Sequence, residues 1–287
     1  MKSKKAWARK GFRLLGIFLI FLFLFVLYRD NMTIGITQYE IHSSNIPSHF
    51  DSFRIVQLSD LHDAKFGERH ADLVKKVKGL SPDAIFITGD FIDSNRFDLD
   101  RSMELVEELQ SIAPFYYVTG NHEISSNETD QIVNRLDSHG VYTLSNEAVI
   151  IKRDGQQIAI GGIDDPLSSS KEDDAAVAEF IQQAFQGVPQ SMYKILLSHR
   201  PEQFETYLEQ KIDLIMSGHA HGGQIRIPLV GGLVAPGQGW FPGYTEGIHS
   251  KEGRQMIISR GIGNSIIPVR FFNQPEIVLV ELRSDAN

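Results

Sequence analysis

The chain has 287 residues, 42% of them hydrophobic, so it can bury one large core or two small ones. It contains no cysteine, which excludes disulfides, thiolate metal sites and cysteine nucleophiles. Residues 1–29 hold seven of the 28 basic residues and none of the 36 acidic ones, so 21 minus 36 leaves −15 for the remainder. An acidic body of that charge argues against nucleic acid as a partner.

The first thirty residues differ in composition from the rest. Basic residues up to Arg13 precede an apolar run, residues 14–28, which is short for a span of ~20 residues. No small-residue cleavage site follows, so we expect residues 1–30 to form a basic N-terminus and an uncleaved membrane anchor. A cleaved signal and an interfacial helix are the alternatives. The basic residues predict a single-pass protein of the cell membrane with residues 31–287 on the extracytoplasmic face.

Strands and helices alternate over the next part of the chain. After an extended lead-in at 33–53, the pattern predicts strands at 54–58, 85–90 and 115–118, and helices at 68–79, about 100–111 and 128–139. Gly79 and Pro82 indicate the end of the first helix. This alternation predicts a parallel sheet with helical crossovers.

The second half is richer in strands. We predict a hairpin turning at Asp154-Gly155, a helix at 171–186, a helix beginning near Pro201, and strands at 148–152, 157–161, 194–198, 212–217, 255–259 and 276–282. Residues 222–250 are rich in glycine and predict an irregular insertion that contains hairpins.

Five predicted strands are followed directly by residue types that ligate divalent metals. A single histidine at a strand end usually only hydrogen-bonds within the fold, but here the pattern occurs five times. Two residues apart on an extended segment, Asp60 and His62 face the same side, and His219 and His221 share that spacing. The candidate ligands number seven, too many for one tetrahedral ion but suited to two ions that share a carboxylate: Asp60, His62, Asp90, Asn121, His199, His219 and His221.

The order D-x-H, G-D-x-x-D, G-N-H-E, a later H and G-H-x-H resembles that of the calcineurin-like metallophosphoesterase superfamily, over about residues 54–282. The resemblance implies a four-layer α/β/β/α sandwich with two mixed sheets, formed by residues 31–287. It also implies the ligand sets. One ion would be held by Asp60, His62 and His221, the other by Asn121, His199 and His219, with Asp90 bridging both.

The same resemblance implies that His122 faces the substrate and that Asp93 orients it; the alternative for Asp93 is a helix N-cap. The expected cofactors are two divalent ions, manganese first, with zinc, iron or nickel as alternatives. The implied reaction is attack on phosphorus by hydroxide held between the ions, with His122 as acid or electrostatic stabiliser.

Two features of the sequence bear on the substrate class: a difference from the superfamily motif at Asp93-Ser94, and the C-terminal segment from Ser259. Protein phosphatases of the superfamily carry Asp-Arg where this chain has Asp93-Ser94, which favours a phosphodiester or pyrophosphate over a monoester. The tail from Ser259 resembles a membrane-anchored bacterial branch with phosphodiesterases and enzymes similar to UDP-2,3-diacylglucosamine hydrolases. Gly261 and Gly263 there either cradle a phosphate or allow close packing. A phosphomonoesterase and a non-catalytic metal-binding scaffold on the same fold are the alternative functions.

Three residues are candidates for substrate binding. Trp240 and Tyr244 belong to an aromatic cluster that suits a lipid-like or cell-envelope substrate, or else a small local core. Arg260 is a candidate phosphate partner, as are Arg200, Arg226 and Arg270.

Overall fold

The computed structural model describes residues 2–264 and 268–285. The α-helices are α1 (Lys2–Met32), α2 (Ala71–Leu80), α3 (Leu99–Leu109), α4 (Asn121–Ser126), α5 (Thr129–Asp137), α6 (Asp173–Ala184) and α7 (Phe204–Glu209). The strands are β1 (Gly35–Ser43), β2 (Arg54–Leu58), β3 (Ala84–Thr88), β4 (Phe115–Val118), β5 (Tyr142–Thr143), β6 (Glu147–Arg153), β7 (Gln156–Gly162), β8 (Lys194–Leu197), β9 (Leu214–Ser217), β10 (Arg226–Ile227), β11 (Gly231–Gly232), β12 (Val234–Ala235), β13 (Gly239–Trp240), β14 (Gly247–Lys251), β15 (Arg254–Ile258) and β16 (Glu276–Ser284).

The longer strands form two six-stranded mixed sheets. The first has the order β1-β16-β2-β3-β4-β5 and the second the order β14-β15-β9-β8-β7-β6. As the sequence predicts, β2, β3 and β4 run parallel; the unpredicted strand β5 continues this parallel order, whereas β16 runs antiparallel to β2. In the second sheet β7, β8, β9 and β15 run parallel, and the antiparallel strands β6 and β14 lie at its edges.

Three buried apolar layers hold the sheets and helices together. Because side chains alternate along a strand, Ile85 of β3 faces the helix layer of α2, α3 and α5, while Phe86 faces the second sheet. Ile195 of β8 belongs to the layer between the sheets, and Leu196 packs against α6 and α7. The order helix, sheet, sheet, helix confirms the predicted four-layer sandwich.

The structure corrects two local details. Helix α2 continues through Gly79 to Leu80, and Ser81 ends it with a left-handed φ of 48°, so the interpretation of Gly79 as the helix end is wrong. A Cβ at Gly79 would meet nothing within 4 Å, so the position accepts ordinary helical packing. The short helix α4 was not predicted, since its first residues carry the G-N-H-E motif. The insertion at 222–250 does contain short hairpins, β10–β11 and β12–β13.

Helix α1 is joined tightly to the sandwich at its C-terminal end. Its segment Lys10–Met32 is long and apolar enough to cross a membrane. The last turns nevertheless pack on the domain: Val26 and Asp30 are buried, and Asp30 accepts a hydrogen bond from the backbone of Asn273 at 3.1 Å. Asn31 and Arg270 exchange two hydrogen bonds, of 2.8 and 2.9 Å. The helix therefore continues from the domain without a flexible linker.

Candidate metal centre

The loops that follow β2, β3, β4, β8 and β9 meet between the two sheets and bring the predicted ligands together. Carboxyl ends of parallel strands lie at one edge of a sheet, which is where α/β folds hold their ligands. Acidic and imidazole side chains form three groups, each with its ligand atoms within 4.8 Å of one another; one is His62, Asp93 and His122, and the other two consist of predicted ligands and are the two clusters described below. Asp90 belongs to both clusters.

The first cluster contains Asp60, His62, Asp90 and His221, all buried. His221 Nε2 lies 3.0 Å from His62 Nε2 and 3.3 Å from Asp60 Oδ1. His62 Nε2 lies 3.6 Å from Asp90 Oδ2. These are the side chains that the resemblance assigns to one ion and to the bridging position.

The second cluster contains Asp90, His199 and His219. His199 Nε2 lies 3.2 Å from Asp90 Oδ2 and 3.1 Å from His219 Nδ1. Asn121 lines the same cavity as His219, and among the described residues its buried Oδ1 is one of few side-chain atoms with no hydrogen-bond partner. A buried oxygen without a hydrogen-bond partner is free to ligate a cation.

The donor set fits divalent ions. His199 donates from Nδ1 to the carbonyl of Thr88 at 2.8 Å, which leaves Nε2 as the basic nitrogen that faces the cluster. Burial lowers the pKa of His62 to about 4 and that of His219 and His221 well below the usual value, which favours the neutral rings that metal binding requires. Against the effect of burial, the Asp90 carboxylate raises the pKa of His199 to about 10, so a metal would have to displace a proton from that ring. Imidazole, carboxylate and amide donors suit first-row divalent metals.

The backbone at these loops is strained. Asp60, His62, Asp90, His219 and His221 all have positive φ angles, between 47° and 65°. A non-glycine residue in this region costs on the order of 1–3 kcal/mol and persists only where surrounding contacts enforce it. The ligand loops are therefore held in place by the rest of the fold before any ion binds.

A buried ion pair adjoins the second cluster. Arg200, which follows His199, donates to Asp165 from Nε at 2.6 Å and from Nη2 at 2.9 Å, and its Nη1 lies 3.3 Å from His219 Nε2. Sequence reasoning missed Asp165, although the signal was present: strand β7 ends in Gly162, and two aspartates follow at 164 and 165.

A cavity of about 380 Å³ opens over both clusters. Its lining comprises ligand side chains, His122 and an apolar wall from the glycine-rich insertion, Val234, Ala235 and Pro236. The site thus combines a concentrated set of metal ligands with an uncharged wall.

Comparison with known proteins agrees with this geometry. Residues 53–223 match the model of the calcineurin-like phosphoesterase family. The chain belongs to this family. It is 30% identical to the Bacillus subtilis metallophosphoesterase YkuE over 90% of this chain and 88% of that protein. It is 28% identical to the Escherichia coli phosphodiesterase YaeI, over 80% and 82% of the two chains. A bovine transmembrane protein with a metallophosphoesterase domain is 31% identical over 67% of this chain and 45% of its own length. The protein is thus a metal-binding hydrolase of phosphoesters, and its apolar helix associates it with a membrane.

His122 of this phosphoesterase lines the cavity, and the residue that hydrogen-bonds to its ring is Ser94, which the sequence did not suggest. The backbone N–H of Ser94 donates to His122 Nδ1 at 3.0 Å, so the ring proton resides on Nε2. Asp93 Oδ1 lies 4.0 Å from Nδ1 and instead accepts from the backbone of Asn95 at 2.8 Å, while Asp93 Oδ2 accepts from Arg96. Ser94 and Arg96 were both missed by sequence reasoning, because a loop of four residues gives no periodic signal.

Glu123 ties the phosphoesterase loops together. Its carboxylate accepts backbone N–H bonds from Asp90 at 2.9 Å, Phe91 at 2.7 Å, Ile92 at 3.1 Å and Gly120 at 2.6 Å. Four donors around one buried carboxylate hold the Asp90 loop against the start of α4. Glu123 therefore fixes the loop that carries Asp90, the residue common to both clusters, and is not itself among the residues that line the cavity.

Glu123→Gln should lower the apparent Tm by roughly 5–10 °C, because replacing one acceptor oxygen with an amide donor removes about 2–3 kcal/mol. Thermal unfolding of the full chain in detergent, followed by near-UV circular dichroism, measures the shift. Glu128→Gln, at an exposed position five residues on, is the matched control and should leave Tm unchanged. Equal Tm values for the two variants would contradict the structural role.

The three substrate-binding candidates lie outside the cavity lining. Arg260 donates to Glu276 at 2.6 Å, and Tyr244 packs edge-on against Phe204 with ring centroids 5.8 Å apart. Trp240 is 70% exposed on β13, where it pairs with Val234 of the cavity wall. For Tyr244 the structure thus favours the local-core alternative, whereas Trp240 stands at the rim.

Gly261 and Gly263 are explained by close packing. A Cβ at Gly261 would approach Asp60 Cβ to 2.8 Å, and one at Gly263 would approach the Leu61 carbonyl to 2.1 Å. Gly263 also donates to the Asp60 carbonyl at 2.7 Å. The tail therefore braces the Asp60 loop from behind, as the packing alternative predicts.

Proposed function

We propose that this phosphoesterase is a binuclear phosphodiesterase that uses two divalent ions, manganese first, at Asp60, His62, His221 and at Asn121, His199, His219, with Asp90 shared. The observation that carries the proposal is the presence of the Asp90 carboxylate in both ligand clusters. Bound divalent ions would supply Lewis-acid activation of the phosphoryl group and of a water nucleophile.

The chain's own residues would then orient the substrate and stabilise its phosphoryl group. With Nδ1 accepting from Ser94, His122 presents Nε2–H to the cavity and can donate a hydrogen bond from it to a phosphoryl or leaving-group oxygen, which stabilises the negative charge there. Asp93 would act from the Nδ1 side of the ring as a positioning residue. The ion pair of Arg200 and Asp165 would keep the ring of His219 in place.

A diester or pyrophosphate is favoured over a monoester by what surrounds the cavity. No arginine or lysine occurs among the described residues that line it. The candidate phosphate partners are engaged elsewhere: Arg200 with Asp165, Arg226 with Glu246, Arg260 with Glu276, and Arg270 with the carbonyls of Arg260 and Gly263. A monoester dianion would thus lack the additional cation that its second negative charge calls for.

We further propose that residues 1–30 anchor the protein in the membrane by a single span, that residues 31–287 are the extracytoplasmic catalytic domain, and that the substrate is lipid-like or part of the cell envelope. The basic residues before the apolar run support this orientation. The apolar wall of Val234, Ala235 and Pro236 supports a lipid-like leaving group.

The test is hydrolysis by the purified full chain in detergent, stripped with a chelator and reloaded separately with manganese, zinc, iron or nickel. We expect faster turnover of bis-(p-nitrophenyl) phosphate than of p-nitrophenyl phosphate, with two ions per chain by elemental analysis. Faster turnover of the monoester would favour a phosphomonoesterase. No turnover with any ion would favour the non-catalytic scaffold.

A further inference from the structure

The hairpin β10–β11 presents apolar side chains to solvent. Leu229 at its tip is fully exposed, and Val230 is 62% exposed. Leu229 also has a φ of 70°, a conformation that a bulky residue adopts only under constraint. The fold therefore holds an apolar side chain outward at a cost, which indicates a partner surface of apolar character.

This hairpin tip is continuous with the loop that follows Pro268. Ile227, Leu229 and Val230 line one surface depression of about 500 Å³ together with Phe272, which is itself 37% exposed with a φ of 51°. Arg226 donates to the carbonyl of Phe271 at 2.9 Å. We name the four side chains Ile227, Leu229, Val230 and Phe272 the apolar tip.

The apolar tip lies beside the membrane helix. The ring of Phe271 packs against Phe23 of α1 with centroids 5.6 Å apart, and Phe271 contacts Phe272 at 4.6 Å. Phe23 precedes the end of the apolar run at Tyr28 by five residues, or about 7–8 Å along the helix axis. A loop that touches α1 at that level lies within reach of the headgroup and upper acyl region, which apolar side chains penetrate by about 5–10 Å.

Charge at the base of α1 agrees with a membrane surface. A second cavity, of about 830 Å³, adjoins Asn31 and Met32 at the end of the helix. Its charged lining residues are three lysines and one aspartate, namely Lys65, Lys75, Lys76 and Asp72. A positive cluster at the helix end stands out on a body of net charge −15 and suits anionic lipid headgroups.

We propose that the apolar tip inserts into the same bilayer that receives α1, so that the catalytic domain is held to the membrane at two places. Because Asn273 donates to the carbonyls of His221 at 2.7 Å and Gln224 at 2.9 Å, the inserted loop is tied directly to the cavity wall. The metal cavity then opens near the lipid surface. The inference rests on the anchor assigned to α1 but not on the reaction catalysed.

Single-tryptophan reporters test the insertion. The chain has two tryptophans, Trp7 and Trp240. In a background with W7F and W240F, the full-length protein would carry one new tryptophan, from Leu229→Trp at the tip, Phe21→Trp within α1, or Ile112→Trp. Ile112 is a partly exposed residue before β4, at the end of that strand away from the metal cavity. Each variant is reconstituted in vesicles of phosphatidylcholine and phosphatidylglycerol whose acyl chains are unbrominated, brominated close to the headgroup, or brominated near the chain end, since Phe21 lies at the middle of the apolar run.

We expect bromine to reduce the emission of the Leu229→Trp and Phe21→Trp reporters and to leave that of Ile112→Trp unchanged. Quenching of Phe21→Trp without quenching of Leu229→Trp would overturn the insertion while keeping the anchor. Absence of quenching at Phe21→Trp would remove the anchor and the insertion with it. Quenching at all three positions would also overturn the proposal, since it would mean nonspecific adsorption of the domain. An unchanged Tm shows that each variant is folded.

Discussion

Replacing His122 with alanine should lower kcat by about 10²–10³-fold while the metal content stays unchanged, because the variant loses a hydrogen-bond donor to the phosphoryl group and not a metal ligand. The ring lines the cavity with its Nδ1 engaged by Ser94, and His62 stands between it and His221. Steady-state hydrolysis of bis-(p-nitrophenyl) phosphate gives kcat, and elemental analysis of the same samples gives the metal content.

His139→Ala, at a histidine remote from the clusters that bonds to the carbonyl of Arg135, is the control and should change neither quantity. Asp93→Asn should cost less than His122→Ala, since the Asp93 carboxylate lies 4.0 Å from the ring. Loss of metal from His122→Ala would contradict its placement as a substrate-facing group.

Asp90→Asn should weaken binding at both metal positions, by at least about 10²-fold in affinity, and abolish turnover at limiting metal. The amide of asparagine has the shape of the carboxylate but not its negative charge. It also has only one acceptor oxygen, whereas a carboxylate can offer one oxygen to each of two ions. Metal content after dialysis, read against Asp100→Asn at an exposed aspartate, measures the effect. Retention of one ion at full affinity would show that the carboxylate is not shared.

The convergence of the predicted ligands was predictable because their positions obey a local rule. A buried apolar strand followed by Asp, Asn or His places a polar side chain at the sheet edge, and five such strands converge once their parallel order is known. The same rule points to Asp165, since β7 ends at Gly162 and aspartates follow at 164 and 165. It was overlooked because no histidine accompanies these two aspartates. The alternation of helices and strands predicted the parallel sheet with its crossovers, whereas the four-layer order was implied by the family resemblance.

Contacts set by distant residues were not predictable. The chain does not indicate that Arg260 meets Glu276 and Glu246, or that Tyr244 packs on Phe204, because these partners come together only in the folded sandwich. In the loop that contains Asp93, the backbone N–H of Ser94 bonds to His122 in place of the Asp93 side chain. Which way that N–H points depends on the conformation of the loop, which sequence patterns do not encode.

The tight junction between α1 and the sandwich bears on how the protein can leave its membrane. Proteolytic shedding after Met32 would strip away Asp30 and Asn31, which together hold Arg270 and Asn273 in place. Asn273 in turn holds the carbonyl of His221. A released fragment would therefore lose a contact that supports the backbone of His221, a proposed metal ligand, so that we expect severing the helix to lower activity.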